Sequence, residues 1–163
     1  MISEAQYNEA VKSYAKNIFR FVFKNVKGKD ATDDLVQDCY LKLWQNREKV
    51  DHTKVKSWLF SVAHHALINY VKAESRKTGL DTAEVSTIAT QSNPEPDVKD
   101  LVERSLLELP PLQRSVILLR DYEGYNYKEI ADILQLSESQ VKVYLFRGRQ
   151  RMKDSIKTLS AVL

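Results

Sequence analysis

The chain has 163 residues, 43% of them hydrophobic and 29% charged, with a net charge of +3. This suits one ordinary globular domain or two small ones and excludes a wholly disordered chain. No apolar run approaches the ~20 residues of a membrane helix, and the N-terminus lacks the basic-then-apolar order of a signal peptide. The lone cysteine, Cys39, cannot close an internal disulfide, so a reducing, cytoplasmic setting is expected.

Only four glycines and four prolines punctuate the chain. Apolar residues recur at helical spacing, so the expected fold is all-α. Tyr7, Val11, Tyr14, Ile18 and Phe21 form the first stripe. Residues 33–46 repeat it with Leu35, Val36, Cys39, Leu43 and Trp44, and place Asp33 and Asp34 near the positive helix end. Residues 55–71 form a third helix with Trp58, Leu59, Val62, Ala66 and Tyr70 inward. Residues 78–98 then hold Gly79, Pro94, Pro96 and four acids (Asp81, Glu84, Glu95, Asp97) but no Lys or Arg. Such a stretch is too polar to build a core and predicts a flexible acidic linker between two small helical domains, 1–77 and 99–163.

In the second domain Leu101, Val102 and Leu106 mark a helix that must stop at Leu109, because the residue before Pro110 avoids helical dihedrals. Pro111 suits the first turn of the next helix, which runs through Val116 and Leu119 to Glu123 and Gly124. Asn126 with Glu129, and Ser137 with Gln140, have capping-box spacing. They bracket two helices joined at Gln135 and Leu136, with small Ala131 where the helices cross. A left-handed Gln135 at this turn costs about 1–2 kcal/mol. The last helix is two-sided. Val141, Tyr144, Leu145, Gly148 and Met152 fall within a sector of about 100°, the width of a buried stripe. Ser139, Lys142, Phe146, Arg149, Gln150 and Lys153 lie opposite. Residues 137–157 carry six cations and two acids, a local +4, so the remainder of the chain sums to −1.

Three constellations carry candidate chemistry. The basic ridge of the last helix suits a DNA groove. Its plain alternative is a solvated face, and the two capped helices with their short turn favour DNA. Lys56, Lys72, Arg76 and Lys77 flank a helix rich in aromatic rings. That combination suits single-stranded nucleic acid, although Trp58 and Tyr70 fit a core equally well. Asp34 and Asp38, four apart with Gln37 beside them, are weak as a metal or acid–base pair, since no His or further acid sits at ligand spacing on that helix. A polar protein-docking face fits them better. His64 and His65 are adjacent and point about 100° apart. With no glycine-rich phosphate loop, nucleophile elbow or catalytic triad, no enzyme activity, metal or cofactor is expected.

The run Asp33, Asp34, Leu35, Val36, Gln37, Asp38, followed by Leu41, Lys42, Leu43 and Trp44, resembles the conserved-region-two helix of bacterial sigma factors. Residues 56–63 resemble the start of their promoter-melting helix. Leu109, Pro110, Gln113, Arg114, Glu123, Gly124, Tyr127 to Ala131, Leu134, Ser137, Val141, Lys142, Arg147 and Arg149 resemble region four. Two such regions with only a short linker resemble the extracytoplasmic-function group. The resemblance implies a transcription initiation factor. Asp34, Gln37, Asp38, Leu41 and Trp44 would dock on the β′ clamp helices of RNA polymerase core. Residues 51–55 and the following helix, through Lys54, Lys56, Ser57, Trp58, His65, Lys72 and Arg76, would hold the melted −10 element. Ser137, Ser139, Gln140, Lys142, Val143, Phe146, Arg147 and Arg149 would grip the −35 duplex. The β flap and an anti-sigma protein are further implied partners, and the acidic linker would thread toward the RNA-exit channel. No small-molecule substrate or direct membrane insertion is implied. Tyr144 and Gly148 stand where the family often has Arg and Ala, and Asn69 where it often has an acid, so promoter preference is open; Tyr144 is expected to pack. The alternatives are a stand-alone helix-turn-helix regulator and a helical adaptor that binds polymerase without reading promoters.

Overall fold

The computed structural model describes residues 1–78 and 97–162. The predicted linker falls outside the described residues except at its two ends, and its C-terminal end is already ordered: Asp97 caps a helix that begins at Val98. Among the described residues all regular structure is helical, and no helix is long and apolar enough to cross a membrane.

Helix α1 spans Glu4–Val26 and opens with a reciprocal capping box between Ser3 and Gln6. It ends at Lys27, which takes a left-handed φ of 61°. Gly28 then caps α2, Lys29–Gln45. The helix therefore starts four residues before Asp33, and the aspartates occupy its second turn, not its first. No cap residue announces this start; Gly28 bonds through no side chain, and its carbonyl accepts the Thr32 hydroxyl at 2.6 Å. Asp51 caps a 3₁₀ turn, His52–Lys54, that feeds α3, Val55–Thr78.

The second half has α4 Val98–Glu108, α5 Pro111–Ile117 prolonged by a π-helical turn Leu118–Tyr122, α6 Tyr127–Leu134 and α7 Glu138–Val162. Leu109 is extended (φ −71°, ψ 146°) ahead of Pro110, as the proline requires. Both capping boxes form: Asn126 with Glu129 and Ser137 with Gln140. Gln135 is left-handed at φ 56°. Helix α7 runs well past Lys153; its final turns lie on α4, where the Ser155 hydroxyl donates to the Glu108 carboxylate. Gly148 allows α7 to approach α5, since a Cβ there would lie 3.1 Å from Ile117 Cγ1. Tyr144 packs against the core as expected.

The two halves share one continuous core. Phe60 of α3 meets Phe21 edge-on at 5.5 Å and Tyr125 of the other half at 5.3 Å. This rotates the buried face of α3 away from the predicted stripe. Leu59, Phe60, Ala63, His64, Leu67 and Val71 are buried, whereas Trp58, Val62, Ala66 and Tyr70 are only half-buried. The shift has a tertiary cause: α3 is covered by α1 and α2 and also by α6.

Candidate polymerase and promoter surfaces

Helix α2 presents a polar strip to solvent. Asp34, Gln37, Asp38 and Leu41 are all exposed at i, i+3, i+4 and i+7 spacing, so they share one face. Leu41 is 53% exposed although Cys39 and Leu43 beside it are fully buried. An exposed leucine framed by carboxylates suits a protein contact more than solvation alone. Trp44, at i+10, borders this strip but is less open to solvent. It is half-buried, edge-on to Tyr7 at 5.0 Å, with the Arg47 guanidinium 4.0 Å from its ring. Among the described residues no cluster of three His, Cys, Asp or Glu is placed to hold a metal ion. Burial pushes the Cys39 thiol up to about 11, so it packs as an inert apolar group.

On α3, Trp58, His65, Lys72 and Arg76 fall within about 60° of one another around the helix axis, with Trp58 half-buried and the other three exposed. Lys54 is exposed on the preceding 3₁₀ turn and Ser57 is half-buried. Lys56 leaves the group. Its ammonium lies 4.3 Å from the Tyr125 ring of the second half, on the opposite side of α3. The spacing of charges did not show this, because it arises from packing between distant segments.

On α7, Ser139, Lys142, Val143, Phe146 and Arg147 are exposed, with Phe146 71% and Val143 44% exposed. Three other expected contacts are already engaged. Ser137 Oγ accepts from Gln140 N at 3.1 Å and Gln140 Oε1 accepts from Ser137 N at 2.9 Å, so both serve the helix start. The Arg149 fork closes on Asp121 at 2.5 and 3.2 Å, which also raises its pKa. Arg149 thus stitches α7 to the π turn, and its charge is largely compensated there.

Several groups with no obvious pattern in the sequence hold these surfaces in place. Arg20 of α1 grips Glu123 bidentately (2.8–3.0 Å), and the glutamate side chain is 1% exposed. His64 Nδ1 and Ser115 Oγ are 2.9 Å apart across the two halves. An apolar groove of about 550 Å³ opens between the π turn and the C-terminal end of α7, floored by Ile117, Tyr122, Met152 and Ile156 and edged by Lys153 and Lys157.

The family model "Sigma-70 region 2" matches residues 8–77 and "Sigma-70, region 4" matches residues 99–152. The ECF RNA polymerase sigma factor SigM of Bacillus subtilis is 30% identical over 150 residues, which span 90% of this chain and 92% of that protein. The ECF RNA polymerase sigma-E factor of Escherichia coli is 25% identical over 168 residues, covering 94% and 87%. The sigma factor RpoE of Bartonella quintana, solved in complex with the anti-sigma factor NepR, shares the fold with a TM-score of 0.73 at 19% identity, over 93% of this chain and 96% of that one. An exposed acidic strip, a two-sided helix behind a capped turn, and these matches in the order region two then region four agree: the chain belongs to the sigma-70 family of RNA polymerase sigma factors, in its extracytoplasmic-function group.

Proposed function

We propose that the chain brings RNA polymerase core to specific promoters in the cytoplasm, with residues 1–77 serving core and −10 binding and residues 99–163 serving −35 binding. The observation that carries this is the pairing of the exposed Asp34, Gln37, Asp38 and Leu41 strip in one half with the exposed α7 ridge in the other. A stand-alone regulator has no need of the first surface, and an adaptor has none of the second. The strip docks on the β′ clamp helices. Trp58, His65, Lys72 and Arg76 hold the melted −10 strand by stacking and charge. Ser139, Lys142, Val143, Phe146 and Arg147 enter the major groove. The apolar groove at the far end of α7 is left free by this geometry and receives the polymerase flap, so one helix is held by polymerase and reads DNA at once. An anti-sigma protein regulates the chain by covering the polymerase-binding faces.

The packed arrangement adds a requirement. The two promoter elements are about 25 base pairs apart, roughly 85 Å of duplex, whereas Phe60 of α3 touches Tyr125 beside the helix-turn-helix. The halves therefore separate when both elements are held. Transcription in vitro with purified bacterial core and a promoter panel tests the reading; a chain that fails to bind core in calorimetry would sink it. Replacing Asp34 and Asp38 together by Ala lowers affinity for core about tenfold while the melting temperature is unchanged, because both side chains are exposed. Equal affinity in calorimetry refutes the docking assignment. Arg147→Ala relaxes preference at one −35 position by about 1–3 kcal/mol; a loss spread evenly over all sequences marks Arg147 as a phosphate contact instead.

A further inference from the structure

The acidic strip of α2 ends on a cation that the fold holds rigidly. Arg47 lies just past the end of α2, with its guanidinium 4.0 Å from the Trp44 ring and Nη1 donating to the Trp44 carbonyl at 2.8 Å. Tyr7 braces the same ring edge-on at 5.0 Å, and its hydroxyl donates to the Tyr40 carbonyl at 3.1 Å. The Arg47 backbone is pinned as well: its carbonyl accepts the Ile2 amide at 2.7 Å, and Ile2 is 1% exposed. A cation at the negative end of α2 is favourable, but a loose lysine would supply that. A guanidinium clamped on indole has already lost its rotamer freedom, and its remaining N–H donors face outward along its edge. Among the described residues no carboxylate pairs with Arg47, the exposed Glu48 beside it included. Along the strip, then, Asp34, Gln37 and Asp38 come first, Leu41 next, and Trp44 with Arg47 last. Asp38 and Trp44 are about 9 Å apart along the helix axis. Lys42 is exposed too, but it points about 160° around the helix from Trp44 and lies off this face.

We propose that this face is graded in charge and takes its partner in one direction only. The partner is a helical surface of the polymerase core with basic side chains opposite Asp34 and Asp38, an apolar one opposite Leu41, and a carboxylate on the Arg47 fork. This rests on the reading of the α2 strip as the core-docking face, and adds a residue and an orientation to it. A strip of acids alone would accept a basic helix in either direction. A carboxylate held by a fixed guanidinium sets the register, and a misdocked helix would bring a cation against Arg47.

The test is binding of the full chain to purified core, read as association rate and affinity across a range of salt. Arg47→Gln keeps a donor for the Trp44 carbonyl and removes the charge; Arg47→Glu reverses it. Near 0.1 M salt the Glu variant should bind core about 10–30-fold more weakly, with slower association, and the Gln variant about 3–5-fold more weakly. Arg47→Lys should stay within about threefold of wild type, and the Glu deficit should shrink toward about 0.5 M salt. If Arg47→Glu does not fold, judged by its melting curve, the comparison of Gln with Lys decides. A partner that is basic throughout predicts the reverse, tighter binding by Arg47→Glu, and that result overturns the proposal. So does wild-type affinity in both the Glu and Gln variants. An equal loss in the two that salt leaves unchanged also overturns it, because Arg47 is then only a brace for Trp44. Asp34→Ala with Asp38→Ala in the same assay separates the two levels. If that pair loses core binding while the Arg47 variants do not, only the charge grading falls; if it also binds as wild type, the docking reading falls with it.

Discussion

Arg114→Met should lower the stability of the chain by about 3–5 kcal/mol and its melting temperature by about 10–15 °C. Among the described residues Arg114 is the largest fully buried side chain, 1% exposed, and no carboxylate pairs with it. What it meets instead is a row of carbonyls. Nε donates to Leu106 O at 3.0 Å, and Nη2 donates to Leu107 O at 3.1 Å and Leu109 O at 2.8 Å. The reason lies in the sequence. The carbonyls of Leu106 and Leu107 close α4 and would accept from the amides four residues on, but those residues are Pro110 and Pro111, which have no N–H. Arg114 supplies the missing donors and places its charge at the negative end of the α4 dipole. Burial lowers its pKa to about 10, which leaves it fully charged at neutral pH. Nη1 reaches toward Asn25 O at 3.4 Å, so the same side chain abuts the end of α1 in the other half. Methionine fills most of the volume but takes the donors from the Leu107 and Leu109 carbonyls, while Leu106 O keeps only the Leu109 amide at 3.1 Å. Arg114→Lys should recover less than half of the loss, since one ammonium cannot fork across three acceptors. Urea denaturation of the three proteins checks this, and a loss under 1 kcal/mol for Arg114→Met would show that water replaces the guanidinium.

The fold was legible where its causes are local. The capping boxes at Asn126 and Ser137 need only residues three apart, and the left-handed Gln135 follows from the turn between them. The helix stop at Leu109 follows from Pro110. Exposure of Asp34, Gln37 and Asp38 followed from helical spacing alone. Illegible features depend on segments far apart in the chain. Arg20 and Glu123 are 103 residues apart, and His64 and Ser115 are 51 apart. The same pairing explains the wrong inner stripe of α3, because a second neighbour buried Phe60 and His64. It explains Lys56 as well, drawn to Tyr125 away from the other α3 cations. Trp44 and Arg149 carry unforeseen partners for a related reason. Each had a partner, Arg47 and Asp121 respectively, whose approach is a matter of three-dimensional packing.

Acidification should weaken the chain through His64 more than through any other histidine. His64 is 7% exposed, and its pKa is lowered from 6.5 to about 4, first by burial and then by the neighbouring His65. The native state therefore holds the imidazole neutral, with Ser115 Oγ at Nδ1, whereas the unfolded chain takes up a proton near pH 6.5. Between these values the unfolded state binds more protons, so stability rises with pH. The contribution is whole above pH 6.5 and is lost as pH falls toward 4, reaching about 2–3 kcal/mol at pH 4.5. Carboxylates titrate in the lower part of that window, so the wild type alone cannot isolate the effect. His64→Gln removes the titration while keeping a polar group for Ser115. It should be less stable than wild type at pH 7.5, and the gap should narrow by about 2–3 kcal/mol at pH 4.5. Parallel curves of unfolding free energy against pH would refute the assignment. The position of His64 gives this linkage a consequence for the working protein. It sits on α3 and faces Ser115 of α5 in the second half, so parting the halves would hydrate the ring and restore its ordinary basicity. Any separation of the two halves would thereby be coupled to proton uptake below pH 6.5, and at neutral pH the interface would close without that penalty.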